Sequence, residues 1–207
     1  VDYVYFDPDH ALLRLPRKQL RFPLPLKTPP GFRAAEPQSW PQVEGRLEYV
    51  DGELLWMPPC ADYQQDVASE AVRLLGNWSV KHPEFIVAGN EAGMLLGGEA
   101  RGADAAVWRK ADVGVHRGTF RKVAPVLAVE VAGEDETEVV LREKARWYLG
   151  HGVEQVWLLF PKTRLVLVLG AKGMVKVKGR SLLPQVVSLP GLKVTAQSFF
   201  RQLTPAS

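Results

Sequence analysis

Apolar and polar residues alternate through "RLEYVDGELLWM" (46–57), with Asp51-Gly52 at the centre. A two-residue Asp-Gly turn suits the twist of paired strands, so this segment predicts a hairpin. Opposing Val50 to Glu53 puts Leu47, Tyr49, Leu54 and Trp56 on one face. The period then changes: Val67, Ala71, Leu74, Leu75 and Trp78 recur at helical spacing and predict a helix over 63–80, capped by Asp62. Strands are expected near 84–90 and 92–96. "GGEARGADAAVW" (97–108) reads as a loop entering a strand, and "ADVGVH" (111–116) as a further short strand. "APVLAVEVAG" (124–133) is short, rich in branched residues and bounded by Pro125 and Gly133, the mark of a buried strand. A helix over 136–150 ends at His151-Gly152. "VEQVWLLF", "RLVLVLG" and "MVKVKG" then predict three strands, with turns at 161–163 and 170–173. Strands, helix, strands, helix, strands is the order of a mixed α/β or α+β domain.

Residues 1–42 stand apart as an arm, and 43–207 form the domain. Arg14, Arg17, Lys18, Arg21 and Lys27 fall among Pro16, Pro23, Pro25, Pro29 and Pro30, a density that blocks a long helix and opposes a central strand. Such an arm either touches phosphates or lies on its own domain or a partner subunit. At 207 residues and 46% hydrophobic content, one large domain is well supplied with core. No apolar run reaches the ~20 residues of a membrane span. Cys60 is the one cysteine, so an intrachain disulfide is excluded and a cytoplasmic protein is expected. A net charge of +3 is compatible with an anionic partner.

Three charges stand where the pattern calls for none. Glu130 lies inside the most apolar strand, where an unpaired carboxylate costs several kcal/mol; it should be paired, protonated or bound to a metal. Lys144 falls on the apolar stripe through Val140, Leu141, Trp147 and Tyr148. Its structural alternative is a stem covering apolar surface with the ammonium in water. Asp104 sits among alanines where a strand starts, or alternatively closes a turn through its side chain. The three have one use in common. Carboxylates on neighbouring strands hold Mg²⁺, which activates water and holds a phosphate oxygen, and a nearby ammonium offsets transition-state charge.

"RGADAAVW", "APVLAVEVAG" and "REKARWYLGHGVEQVWLLFP", in this order, resemble the prokaryotic restriction-endonuclease-like family abundant in cyanobacteria and once catalogued as a domain of unknown function. That family is a branch of the PD-(D/E)XK nucleases. "YVDGELLWMPP" and "SLPGLKVTAQSFF" resemble its opening hairpin and closing segment, so the likeness spans roughly 43–200. It implies a restriction-endonuclease-like core, a central mixed sheet flanked by helices. It further implies an endonuclease that uses Mg²⁺, with Mn²⁺ as a substitute, and takes DNA as partner, as a homodimer. Asp104 and Glu130 match the metal-binding acids, and Glu53 the glutamate of the Asp-Gly-Glu turn, which is either an added metal carboxylate or a solvated hairpin residue. Ala103 replaces the motif proline and Ala132 the motif lysine, whose place on the following helix Lys144 fits. Gln64 stands where relatives often carry histidine, and it can orient water or phosphate but not carry a proton.

A rival class is a silent nucleic-acid-binding or dimerisation module with the same fold, whose signature is a buried Glu130–Lys144 ion pair. A third is a metal-dependent hydrolase of another phosphoester. No Gly-Lys-Ser/Thr phosphate loop and no Gly-x-Ser-x-Gly elbow occurs, and His82, His116 and His151 have no metal spacing.

Overall fold

The computed structural model describes residues 20–115, 118–134 and 136–203, together with the backbone of 3–6 and 13–16. Strands β1 (Tyr3–Phe6) and β2 (Leu13–Pro16) form a separate antiparallel ribbon. The side chains of Arg14, Arg17 and Lys18 lie outside the described residues. All other strands join one nine-stranded sheet. They are β3 (Leu24–Leu26), β4 (Arg46–Val50), β5 (Glu53–Met57), β6 (Phe85–Leu96), β7 (Glu99–Arg109), β8 (Leu127–Val131), β9 (Gln155–Phe160), β10 (Leu165–Gly170) and β11 (Gly173–Lys178). The order is β11-β10-β9-β8-β7-β4-β5-β3, with β6 paired to β7.

Only β8 and β9 run parallel, because helix α3 (Glu138–Gly150) crosses over between them. Leu127, Val129 and Val131 of β8 pack with Val67, Ala71 and Leu75 of helix α1 (Asp62–Ser79) and with the closing 3-10 helix Ala196–Phe200. Ala128 and Ala132 pack on the other face with Leu141, Ala145 and Tyr148 of α3. Two apolar layers therefore cover one mixed sheet, the α/β class expected.

The hairpin register is the predicted one, Val50 opposite Glu53. The face bearing Leu47, Tyr49 and Trp56 is covered by the arm. Phe22 packs on Trp56 and Phe32 on Tyr49, with ring centroids 5.7 and 5.0 Å apart, and β3 pairs with β5. The opposite face of β4, carrying Arg46, Glu48 and Val50, is buried as well.

Four local expectations are corrected. Ala61, not Asp62, precedes α1 as its cap; Asp62 is the first helical residue and accepts from the Tyr63 amide. The two strands expected at 84–96 are one strand, β6, bulged where Asn90 and Glu91 take φ of +54° and +58°. The loop expected from 97 is β7, joined to β6 by a turn at Gly97-Gly98, both left-handed, which non-glycine residues resist. The strand expected at 111–116 is instead a short helix, α2 (Lys110–Val113); residues 116 and 117 lie outside the described residues. Alternation over four to six residues does not separate a strand from one helical turn.

Candidate active site

Strand β7 gives one edge to β6 throughout. Its other edge passes from β4 at Ala100 to β8 at Ala105. Between those points the sheet forks, and Asp104 stands at the fork. The β7–β8 ladder stops at Ala105, so no strand covers the Val131 peptide on that side. Side chains replace it: the Val131 amide donates to Asp104 Oδ2 at 2.7 Å, and Gln64 Nε2 donates to the Val131 carbonyl at 3.0 Å. Both residues are buried. An unpaired buried amide or carbonyl is costly, which gives these two polar side chains a structural role beside any chemical one.

Lys144 is 4% exposed, so the snorkelling alternative is excluded. It occupies the centre of the buried α3 stripe Leu141, Lys144, Ala145, Tyr148. Its Nζ lies 2.7 Å from Glu48 Oε1, 3.0 Å from Glu130 Oε2 and 3.1 Å from the Gly102 carbonyl. Tyr148 donates to Glu130 Oε1 at 2.6 Å, so both oxygens of Glu130 are engaged. Arg101 closes the far side of Glu48 at 2.6 Å and lies over the Trp147 ring. Gly102 leaves room for the bulge: a Cβ there would press on Glu91 at 3.2 Å.

The structure thus places Asp104, Glu130, Lys144 and Gln64 at one fork and Glu53 away from it. Glu53 is exposed at the turn, opposite Val50 and four strand residues from the Arg46 end of β4, about 13 Å away along an extended chain. Glu48 supplies the hairpin carboxylate instead. Sequence reading missed it because Leu47 and Tyr49 flank it in an ordinary alternating strand; the signal was that both faces of a strand covered by an arm are buried. Arg46, Glu91 and Glu136 were missed too. Arg46 NH1 lies 3.4 Å from Asp104 Oδ1 and its Nε 3.6 Å from Glu91 Oε1.

Charge around the fork is unbalanced. Glu48, Glu91, Asp104, Glu130 and Glu136 face Arg46, Arg101 and Lys144, five acids against three bases. Burial pushes Glu130 up to about 8, against the pull of Lys144, and raises Glu91 and Glu136 as well. Glu48 is also buried, but Lys144 and Arg101 outweigh that and hold it below the usual range. Lys144 is raised: burial opposes its charge, but Glu130 and Glu48 prevail. The ammonium is shared between the two acids, and Glu130 is the one that burial raises.

A cavity of about 840 Å³ opens on the fork, lined by Arg46, Cys60, Gln64, Ser69, Glu91 and Asp104 among others. Glu130 is not among its walls. Among the described residues no group of three or more histidine, cysteine or carboxylate side chains stands close enough to hold a metal. The donor set nevertheless suits a hard dication in two respects. Its acceptors are all oxygen, and the acids raised by burial mark negative charge that the three bases leave unmet.

No curated protein matches the chain. A crystal structure described as a "putative nuclease belonging to DUF820" from Anabaena variabilis superposes with a TM-score of 0.70 at 17% identity, over 79% of this chain and 94% of that one, a likeness of fold. The sequence profile of the Uma2 family, described as "Putative restriction endonuclease", matches residues 34–198, well over half of the chain, and the protein belongs to that family.

Proposed function

We propose that the protein is a divalent-metal-dependent DNA endonuclease whose site is the fork. The carrying observation is convergence. Carboxylates from three strands meet at the fork: Glu48 of β4 and Glu130 of β8 hold one buried lysine of α3, and Asp104 of β7, bonded to the Val131 amide of β8, lines a cavity large enough for a nucleotide. Family membership supports a nuclease in general.

In this reading Asp104 and Glu130 would hold Mg²⁺ or Mn²⁺, while Glu48, between Lys144 and Arg101, fixes the lysine. The ion supplies an activated water and a grip on a phosphate oxygen. Lys144, held by Glu48, Glu130 and the Gly102 carbonyl, offsets charge that develops on the phosphate. Tyr148 orients the Glu130 carboxyl. Gln64, fixed by its bond to Val131, keeps its amide oxygen free to orient water. DNA is the partner, and a homodimer provides two sites for two strands. The reading keeps the cytoplasmic location expected from a single cysteine. No helix among the described residues is long and apolar enough to cross a membrane.

The test is a Mn²⁺ titration by calorimetry beside a plasmid-cleavage assay, wild type against Asp104→Ala. One saturable site and cleavage, both lost in the variant, support the reading. A second reading, a silent nucleic-acid-binding module, draws on the closed Glu48–Lys144–Glu130 network, in which the charges satisfy one another. Absence of Mn²⁺ binding with and without DNA decides for it. Cleavage of small phosphoesters but not of oligonucleotides decides for the third.

A further inference from the structure

Two arginines flank the fork, Arg46 buried and Arg101 partly buried, and they are held differently. Arg101 makes a 2.6 Å pair with Glu48 and rests on the Trp147 ring, away from the large cavity. Arg46 is 9% exposed, yet its ion pairs with acids among the described residues are long: 3.4 Å to Asp104 and 3.6 Å to Glu91. Its Nε has no hydrogen-bond partner among the described residues, which is true of Arg101 Nε as well, so the difference lies in the long contacts and in the cavity. It also lines the 840 Å³ cavity together with Asp104 and Gln64. A buried guanidinium has five donors in a planar fork that matches the oxygens of a phosphate, and leaving them unmet costs free energy.

We propose that Arg46 is a phosphate-binding residue of the site: it takes a non-bridging oxygen of a nucleic-acid phosphodiester entering the cavity. This rests on the nuclease reading, since it names the substrate group that the same site holds. A phosphate bound there gives the guanidinium the short contacts it lacks and draws it from Asp104, leaving that carboxylate's Oδ1 open. Lysine at this position would keep the charge but lose the two-pronged geometry.

The experiment measures binding of a fluorescent oligothymidylate by anisotropy in Ca²⁺ at a series of salt concentrations, for wild type, Arg46→Gln and Arg46→Lys. Gels confirm that the oligomer stays intact, and thermal melts confirm that each variant is folded. Loss of one charge-assisted contact predicts about tenfold weaker binding in Arg46→Gln. It also predicts a slope of log affinity against log salt shallower by about 0.7, the value for one phosphate contact on a single strand. Arg46→Lys should keep the wild-type slope and recover part of the affinity. Unchanged affinity, a loss of affinity with unchanged slope, or no binding by the wild type each overturns the proposal. A parallel cleavage assay in Mn²⁺ separates the two ideas. An Arg46-dependent salt slope without cleavage by wild type leaves this proposal standing and removes the nuclease reading. Cleavage with an unchanged KM in Arg46→Gln does the reverse.

Discussion

Glu70 and Glu130 are both buried carboxylates, 0% and 2% exposed, and they behave in opposite ways. Glu70 on α1 meets Arg73, Arg201 and Gln202. Burial works to raise it, but these donors prevail and hold it below the usual carboxylate range. Its partners are half exposed, so their charges are hydrated on the outer side. The result is a clamp that ties the end of the chain to α1. Glu130 has one lysine, shared with Glu48, and a tyrosine, and burial pushes it up to about 8. Burial of an acid is thus no sign of chemistry by itself. An acid in a site is one whose environment leaves its charge partly unmet.

The largest effect expected is loss of cleavage. Glu130→Gln or Asp104→Ala should abolish it, while Glu70→Gln should leave the rate per folded molecule unchanged; wild-type cleavage by Glu130→Gln would sink the mechanism. Glu48→Gln should lower cleavage strongly, and Glu53→Ala should leave it unchanged, because of the two hairpin acids it is Glu48 that reaches Lys144. A result the other way round in the same assay would return the hairpin role to Glu53.

Stability ranks the two acids in the opposite order. Glu70→Gln should cost about 1–3 kcal/mol in urea unfolding, because its arginine partners can return to water. Equal stability of variant and wild type would show that the clamp contributes nothing.

The pH dependence sharpens the contrast further. Glu130 is raised when folded, so the metal-free native state binds more protons than the unfolded chain between the ordinary value near 4.5 and about 8. Its contribution is therefore present at low pH and fades as pH rises through that window. Glu70 is lowered when folded, so its contribution is present above the ordinary value and is lost as pH falls below it. Thermal melts should show Glu130→Gln gaining on wild type from pH 5 to pH 8, and Glu70→Gln losing its deficit in acid. A Glu130→Gln curve parallel to wild type would contradict the unmet-charge account. The smallest effect is that of Glu53→Ala on melting, within about 0.5 kcal/mol, as for an exposed residue with no buried partner.

Local pattern alone determined a good part of this protein. The hairpin register followed from Asp51-Gly52, α1 and α3 from helical stripes, and β8 through β11 from branched runs, because these signals lie within a few residues of one another. Glu130 and Lys144 were legible for the same reason: each is a charge on a locally apolar face. Tertiary structure alone decided the rest. It set Glu48 rather than Glu53 beside Lys144, because which end of a hairpin meets the fork depends on where β4 joins β7, some fifty residues away in sequence. It turned Asp104 and Gln64 into caps for the Val131 peptide, because the gap they fill exists only where β4 and β8 part. It also set Arg46 against the cavity and Glu70 beneath Arg201. Solvation and pairing of a charge depend on what the whole chain packs around it, and no window of sequence contains that information.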